Sequence, residues 1–182
     1  MPVYIALLRG INIGPNKRIK MEALRKSFET LGFQQVKTYI QSGNVVFKSQ
    51  KSTPPLLGKK IESRIVTDFG FSASVLVRAG DELAHTIAAN PFLKRPGIDI
   101  EKLHVTFLSG PPEATAIKKL AAYTIAPDQS CCVGSTVYLY LPNGFSASSL
   151  FRVPWEKALV VSTTTRNWRT VNALHQMCQE CE

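Results

Sequence analysis

Arginine, lysine and asparagine crowd a glycine-containing stretch, RGINIGPNKR, at residues 9–18, with Lys20 just beyond it. Glycine lets backbone N–H groups approach a ligand closely, asparagine adds neutral donors and the cations add charge, a combination that suits an anion. Arg9, Asn12 and Lys20 are the side chains of this stretch expected to meet one. A second polar cluster, QSGN at residues 41–44, is richer in donors than a turn requires, so Gln41, Ser42 and Asn44 join the candidate set. The third is TTTRNWRT at residues 163–170. Its threonines read as the cap of a final helix, with Arg166 and Arg169 in the first turn. Cations there oppose the helix dipole unless an anion offsets them. That conflict marks Arg166 and Asn167 as candidates for a phosphate or carboxylate partner.

Each segment also fits a plainer role: a solvated strand-to-helix turn, ordinary hairpin chemistry, and a salt bridge to a nearby acid. The first loop lacks both the G-x-x-x-x-G-K-[ST] phosphate loop and the G-x-G-x-x-G dinucleotide fingerprint, so no nucleotide class follows from spacing. His175, Cys178 and Cys181 stand three apart, but zinc usually takes four ligands from more than one element. No metal and no cofactor are expected. His85 and His104 have no nucleophile placed beside them by the sequence.

These residues need elements to hold them. Residues 3–8, VYIALL, form an apolar run of strand length, and Met21, Leu24, Phe28 and Leu31 trace one stripe of a helix that Gly32 ends. Residues 35–40 and 44–48 flank a tight turn and read as a hairpin. After Pro54-Pro55, Leu57, Ile61, Ile65 and Phe69 recur every four residues on a second helix closed by Gly70, and residues 72–78 alternate as a strand. The order is β-α-β-β-α-β. It begins again with a strand at 102–108, a helix opened by Pro111-Pro112, a hairpin at 130–133 and 136–141, and a helical segment within 146–157 disturbed by Pro154. A short strand at 159–162 would close it. The expected fold class is α+β: two ferredoxin-like (βαββαβ) units, about 1–79 and 101–165, packed as one body over 1–182, with a connecting helix at 81–90 and a C-terminal helix at 166–180.

The chain has 182 residues, with 22 Lys plus Arg against 13 Asp plus Glu, a formal net charge of +9. Residues 1–60 hold 11 basic and 2 acidic side chains, while residues 61–182 hold 11 of each. The excess argues against an acidic tail or a calcium carboxylate cage and for anionic partners. No stretch reaches the roughly 18 apolar residues of a membrane span, and the start lacks the charge and cleavage pattern of a signal peptide. Four cysteines are too few for a disulfide framework in a chain this long, so a soluble, cytoplasmic protein with no membrane partner is expected.

Taken together, ALLRGINIG, KMEALRKSFETLGF, YIQSGNVVF, the NPF at residues 90–92, YLYLPNG at 138–144 and TTTRNW at 163–168 resemble the domain-of-unknown-function 1697 family. The resemblance covers nearly the whole chain. It implies an intertwined pair of ferredoxin-like units, and family positions at Arg9, Gly10, Asn12, Lys20, Gln41, Ser42, Gly43, Asn44, Thr165, Arg166, Asn167 and Trp168. It implies no activity. Pro15 stands where a second glycine is expected, removing one backbone N–H from the loop. The expected function is a binding module for an anionic ligand: a nucleotide, a phosphate-containing metabolite or a nucleic-acid backbone. The alternative is an enzyme that clamps a phosphorylated or carboxylated small molecule at the same residues. Base stacking on the sheet is disfavoured, since SGNVVF offers one aromatic where an RNA-recognition motif needs two.

Overall fold

The computed structural model describes residues 1–181. The chain divides into two compact units, one formed by Met1–His85 together with the chain from Ala173 onward, the other by Thr86–Asn172.

In the first unit β1 (Val3–Leu8), α1 (Met21–Thr30), β2 (Gln34–Tyr39), β3 (Asn44–Lys48), α2 (Pro54–Phe69) and β4 (Val75–Ala79) follow one another, and α3 (Glu82–Ala88) comes next. The strands make one antiparallel sheet in the order β2-β3-β1-β4. β1 is central, which is why its sequence is apolar throughout. Tyr4, Ala6 and Leu8 share a core with Val45, Phe47 and Val77, roofed by Leu24 and Phe28 of α1 and by Leu57, Ile61 and Ile65 of α2. Ile5, Leu7, Val46 and Leu76, which alternate with them, are buried as well, so both faces of the sheet are covered. Full burial of a side chain the size of Phe28 is worth about 2–3 kcal/mol, and its removal to alanine costs about 3–5 because a cavity is left.

Two contacts fix α2 over the edge strand β4. A Cβ on Gly58 would lie 3.0 Å from the Val75 carbonyl oxygen, so any larger residue would crowd this close approach. One helical turn on, the Glu62 carboxylate accepts the Val75 N–H at 2.8 Å, occupying a donor that an edge strand would otherwise leave open. α2 ends as expected at Gly70, whose φ of 74° lets its N–H return to the Val66 carbonyl.

The second unit repeats the order with β5 (Leu103–Leu108), α4 (Ala114–Tyr123), β6 (Gln129–Val133), β7 (Thr136–Tyr140), α5 (Trp155–Leu159) and β8 (Thr163–Asn167). Its sheet runs β6-β7-β5-β8, also antiparallel. Leu108, Leu120, Val137, Leu139, Trp155 and Leu159 pack together on one face. Asp128 ties the approach to β6 to the segment before α5, accepting from Ser148 Oγ at 2.8 Å, Ser149 N at 2.9 Å and Ser149 Oγ at 3.0 Å. The fold is thus α+β with two four-stranded antiparallel sheets and six α-helices among the described residues. The sixth, α6 (Trp168–Gln179), closes the chain. None of the helices described is long and apolar enough to cross a membrane.

Several expected boundaries move. The fourth strand of the second half is Thr163–Asn167, not residues 159–162, because Leu159 ends α5 and Val160 turns left-handed at φ 58°. The threonines are therefore strand residues, as β-branched side chains favour, and they do not cap α6. Asn167 caps it, its Oδ1 accepting the Thr170 N–H at 2.8 Å. Accordingly the last helix starts at Trp168 instead of 166, and Arg166 lies in β8 opposite Val105. Pro154 precedes α5 and does not interrupt it. α4 opens at Ala114, past the two prolines, and the connecting helix runs 82–88 instead of 81–90. β2 is Gln34–Tyr39 instead of 35–40, since Ile40 already turns at φ 46°, and β4 is Val75–Ala79 instead of 72–78.

Candidate functional site

The loop that leaves β1 and the turn between β2 and β3 form one connected surface in the first unit. Asn12 makes the connection. Held at φ 57°, it donates from its backbone to the Lys17 carbonyl at 2.9 Å, while its Oδ1 accepts the Ile19 N–H at 2.8 Å and its Nδ2 donates to the Ile19 carbonyl at 3.0 Å. The second Nδ2 hydrogen reaches the Gln41 carbonyl at 2.8 Å in the hairpin turn. Both donors of the amide are thus committed within the chain.

From the other side Gly43 seals the same junction. Its φ is 82°, and a Cβ there would stand 2.7 Å from Ile11 Cδ1 and 2.8 Å from Leu8 Cβ. Its carbonyl accepts the Leu8 N–H at 2.8 Å. Asn44, fully buried, donates through Nδ2 to the Tyr39 carbonyl at 2.9 Å and to Ser42 Oγ at 3.0 Å, so it too shapes the turn from within. Ile11 and Ile19 anchor the loop in the core.

Arg9, Lys17, Arg18 and Lys20 remain on the outside, as do the side chains of Gln41 and Ser42. Lys17 Nζ donates to the Ser72 carbonyl at 2.9 Å and Arg18 Nε to the Gly14 carbonyl at 3.3 Å, contacts that orient the cations without neutralising them. Lys20 stands just before the first residue of α1 in extended conformation and places no side-chain cap on the helix. Two exposed isoleucines flank these charges, Ile13 at the loop tip and Ile40 in the turn. Ile40 is held at φ 46°, a conformation that β-branched residues rarely adopt and that carries strain. Residue type gave no warning of it.

Of the remaining predicted residues, Arg166 and Asn167 lie in the second unit. Arg166 is buried, its Nη1 donating to Thr164 Oγ1 at 2.8 Å and to the Thr165 carbonyl at 2.9 Å. Loss of water pulls its pKa down to about 10. It leaves the first turn of α6 to Arg169 alone, which is exposed. Asn167, as cap, has its Oδ1 on the Thr170 N–H.

The sheet offers no stacking platform, since Tyr4 is 4% and Phe47 0% exposed and the two rings stack on each other in the core. Among the described residues no group of three His, Cys, Asp or Glu is arranged to hold a metal ion. His104 stacks on Phe145 with ring centroids 5.4 Å apart, and burial lowers its pKa from the usual 6.5.

No curated protein matches the chain. In the solved structures it is similar to the conserved bacterial protein SP0830 from Streptococcus pneumoniae, at 23% identity and a TM-score of 0.73, over 97% of this chain and 98% of that one. At that identity the likeness shows a shared fold. The model of the family described as "Protein of unknown function (DUF1697)" matches residues 1–138, which include the clamped loop, the hairpin turn and helices α1 and α2. On that span the chain belongs to the DUF1697 family.

Proposed function

We propose that the protein is an anion-binding module built on a duplicated ferredoxin-like scaffold, and that its ligand, through phosphate groups, meets the joined loop and turn of the first unit. The duplication is supported by the common element order and by the matching strand orders β2-β3-β1-β4 and β6-β7-β5-β8. A cytoplasmic location belongs to the same reading and rests on the sparse cysteines.

One observation carries the functional reading: Arg9, Lys17, Arg18 and Lys20 are exposed on a loop that Asn12 and Gly43 lock to the exposed Gln41 and Ser42. Cations on a prearranged backbone lose less freedom on binding than cations on a mobile one. Guanidinium groups pair with two phosphate oxygens at once, and the hydroxyl and carboxamide of the turn add neutral contacts. Asn12 and Asn44 hold the site in shape while Arg9, Lys20, Gln41 and Ser42 touch the ligand.

Fluorescence anisotropy with a labelled DNA duplex, and calorimetry with ATP and with pyrophosphate, test the reading at several salt concentrations. Saturable binding that weakens as salt rises, and that falls at least about tenfold in the Arg9→Ala/Lys20→Ala double variant, is expected. The duplex against the small phosphates tells a nucleic-acid backbone from a metabolite. Affinity that ignores both salt and the double variant overturns the site.

A further inference from the structure

At the opposite end of β1 from the cationic loop, the first unit has a cleft of about 520 Å³, inside the range typical of small-ligand pockets. We propose that this cleft is a second, separate binding site that takes a short peptide with free termini and apolar side chains.

Its floor is apolar, formed by Val3, Ala79 and Pro54. The Tyr4 hydroxyl is already engaged, donating to the Ser52 carbonyl at 2.8 Å and accepting the Ser52 N–H at 3.1 Å, and its ring packs on Phe47 in the core, so neither is open to a ligand. Charge stands on two sides of that floor. Val3 pairs with Lys48 of β3, Tyr4 pairs with Ala79 of β4, and the Gly80 N–H donates to the Val3 carbonyl at 2.9 Å. The order β3-β1-β4 therefore sets Lys48, joined by Lys51, on one side of Val3 and Asp81 on the other.

Two strand spacings, about 10 Å, separate these sides. Lys48, Lys51 and Asp81 form no ion pair among the described residues, whereas Glu82 beside them is drawn to Arg78 at 3.3 Å. Opposite charges thus face one cleft without meeting. A ligand that completes this arrangement has an anion at one end, a cation at the other and an apolar middle. An extended chain advances about 3.3–3.6 Å per residue, so about three residues bridge the gap. The peptide's carboxylate lies toward Lys48 and Lys51 and its ammonium toward Asp81.

Titration of the full chain with Ala-Leu-Ala, followed by two-dimensional amide NMR, tests this. Saturable shifts at Val3, Ala79 and Gly80 are expected, with affinity falling about tenfold or more for the N-acetylated or the C-amidated peptide. Asp81→Asn weakens the free peptide but leaves the acetylated one unchanged, and Lys48→Ala/Lys51→Ala weakens the free but not the amidated one. Asp81 and Lys51 are exposed and Lys48 is half-exposed, so the variants keep the wild-type spectrum elsewhere. Equal binding of blocked and free peptides, shifts confined to residues 9–20, or no saturable shift up to about 10 mM overturns the proposal. None of these results depends on phosphate binding at the loop.

Discussion

The Asn12 carboxamide bonds Ile19 through both its oxygen and its nitrogen, as a paired backbone residue would, and its remaining N–H crosses to Gln41. Its left-handed φ suits asparagine better than most residues. Asn12→Ala removes three hydrogen bonds and should cost about 2 kcal/mol, read as a lower urea midpoint. Asn12→Asp keeps the Oδ1 bond but sets a second acceptor against the Ile19 and Gln41 carbonyls, so it should recover none of this loss. Gly43→Ala meets both a forbidden backbone and contacts under 3 Å, so it should cost more than about 2 kcal/mol in the same measurement. Residue type singles out these positions but does not say what they contact. The partners of Asn12 are main-chain carbonyls and an N–H, which leave no trace in residue types.

His104 supplies a pH dependence at the same scale. Burial lowers its folded pKa, so the unfolded chain takes up the proton first as pH falls. Above about pH 6.5 both states are neutral and nothing is lost; below it, stability declines until the folded-state pKa is passed. Thermal melts at pH 7.5 and pH 5 should therefore show a larger drop for the wild type than for His104→Gln. An equal drop in both would show that this imidazole is not the group responsible.

Between elements, the junction of β8 and α6 shows why one segment misread. Threonine is favoured both as a helix cap and in strands, and TTTRN satisfies either rule until the pairing partner is known. β5 decides it: Val105 pairs with Arg166, and Thr106 Oγ1 lies 2.8 Å from Thr165 Oγ1 across the two strands. The long apolar runs and the three- and four-residue spacings of α1 and α2 leave no such choice, and those helices fall where the pattern places them. The cap itself makes a prediction. Asn167→Ala should lower stability by about 1 kcal/mol, and Asn167→Ser or Asn167→Asp should recover most of it. If alanine costs nothing, the Thr170 N–H finds another acceptor and the assignment of the cap fails.

For the whole molecule, folding redistributes the charge that the sequence piles into residues 1–60. The first unit holds 13 basic and 8 acidic side chains and the second 9 and 5, so the two carry +5 and +4. Glu62, Asp68, Asp81 and Glu82 fall in the same unit as the early lysines, and Glu180 lies 3.4 Å from Lys37. A diffuse attraction would then respond to total charge wherever it is removed, whereas a site at the loop would respond only to its own cations. Lys59→Ala/Lys118→Ala removes two exposed charges, one from each unit, and Arg9→Ala/Lys20→Ala removes two from the loop. Net charge falls equally in both. If the loop is the site, only the second pair lowers phosphate affinity. For a DNA duplex that pair also flattens the plot of log affinity against log salt by up to about 1.8, since each neutralised phosphate contributes about 0.9 to the slope. Equal losses in the two pairs would return the protein to non-specific polyanion binding, with the shape of the loop irrelevant to it.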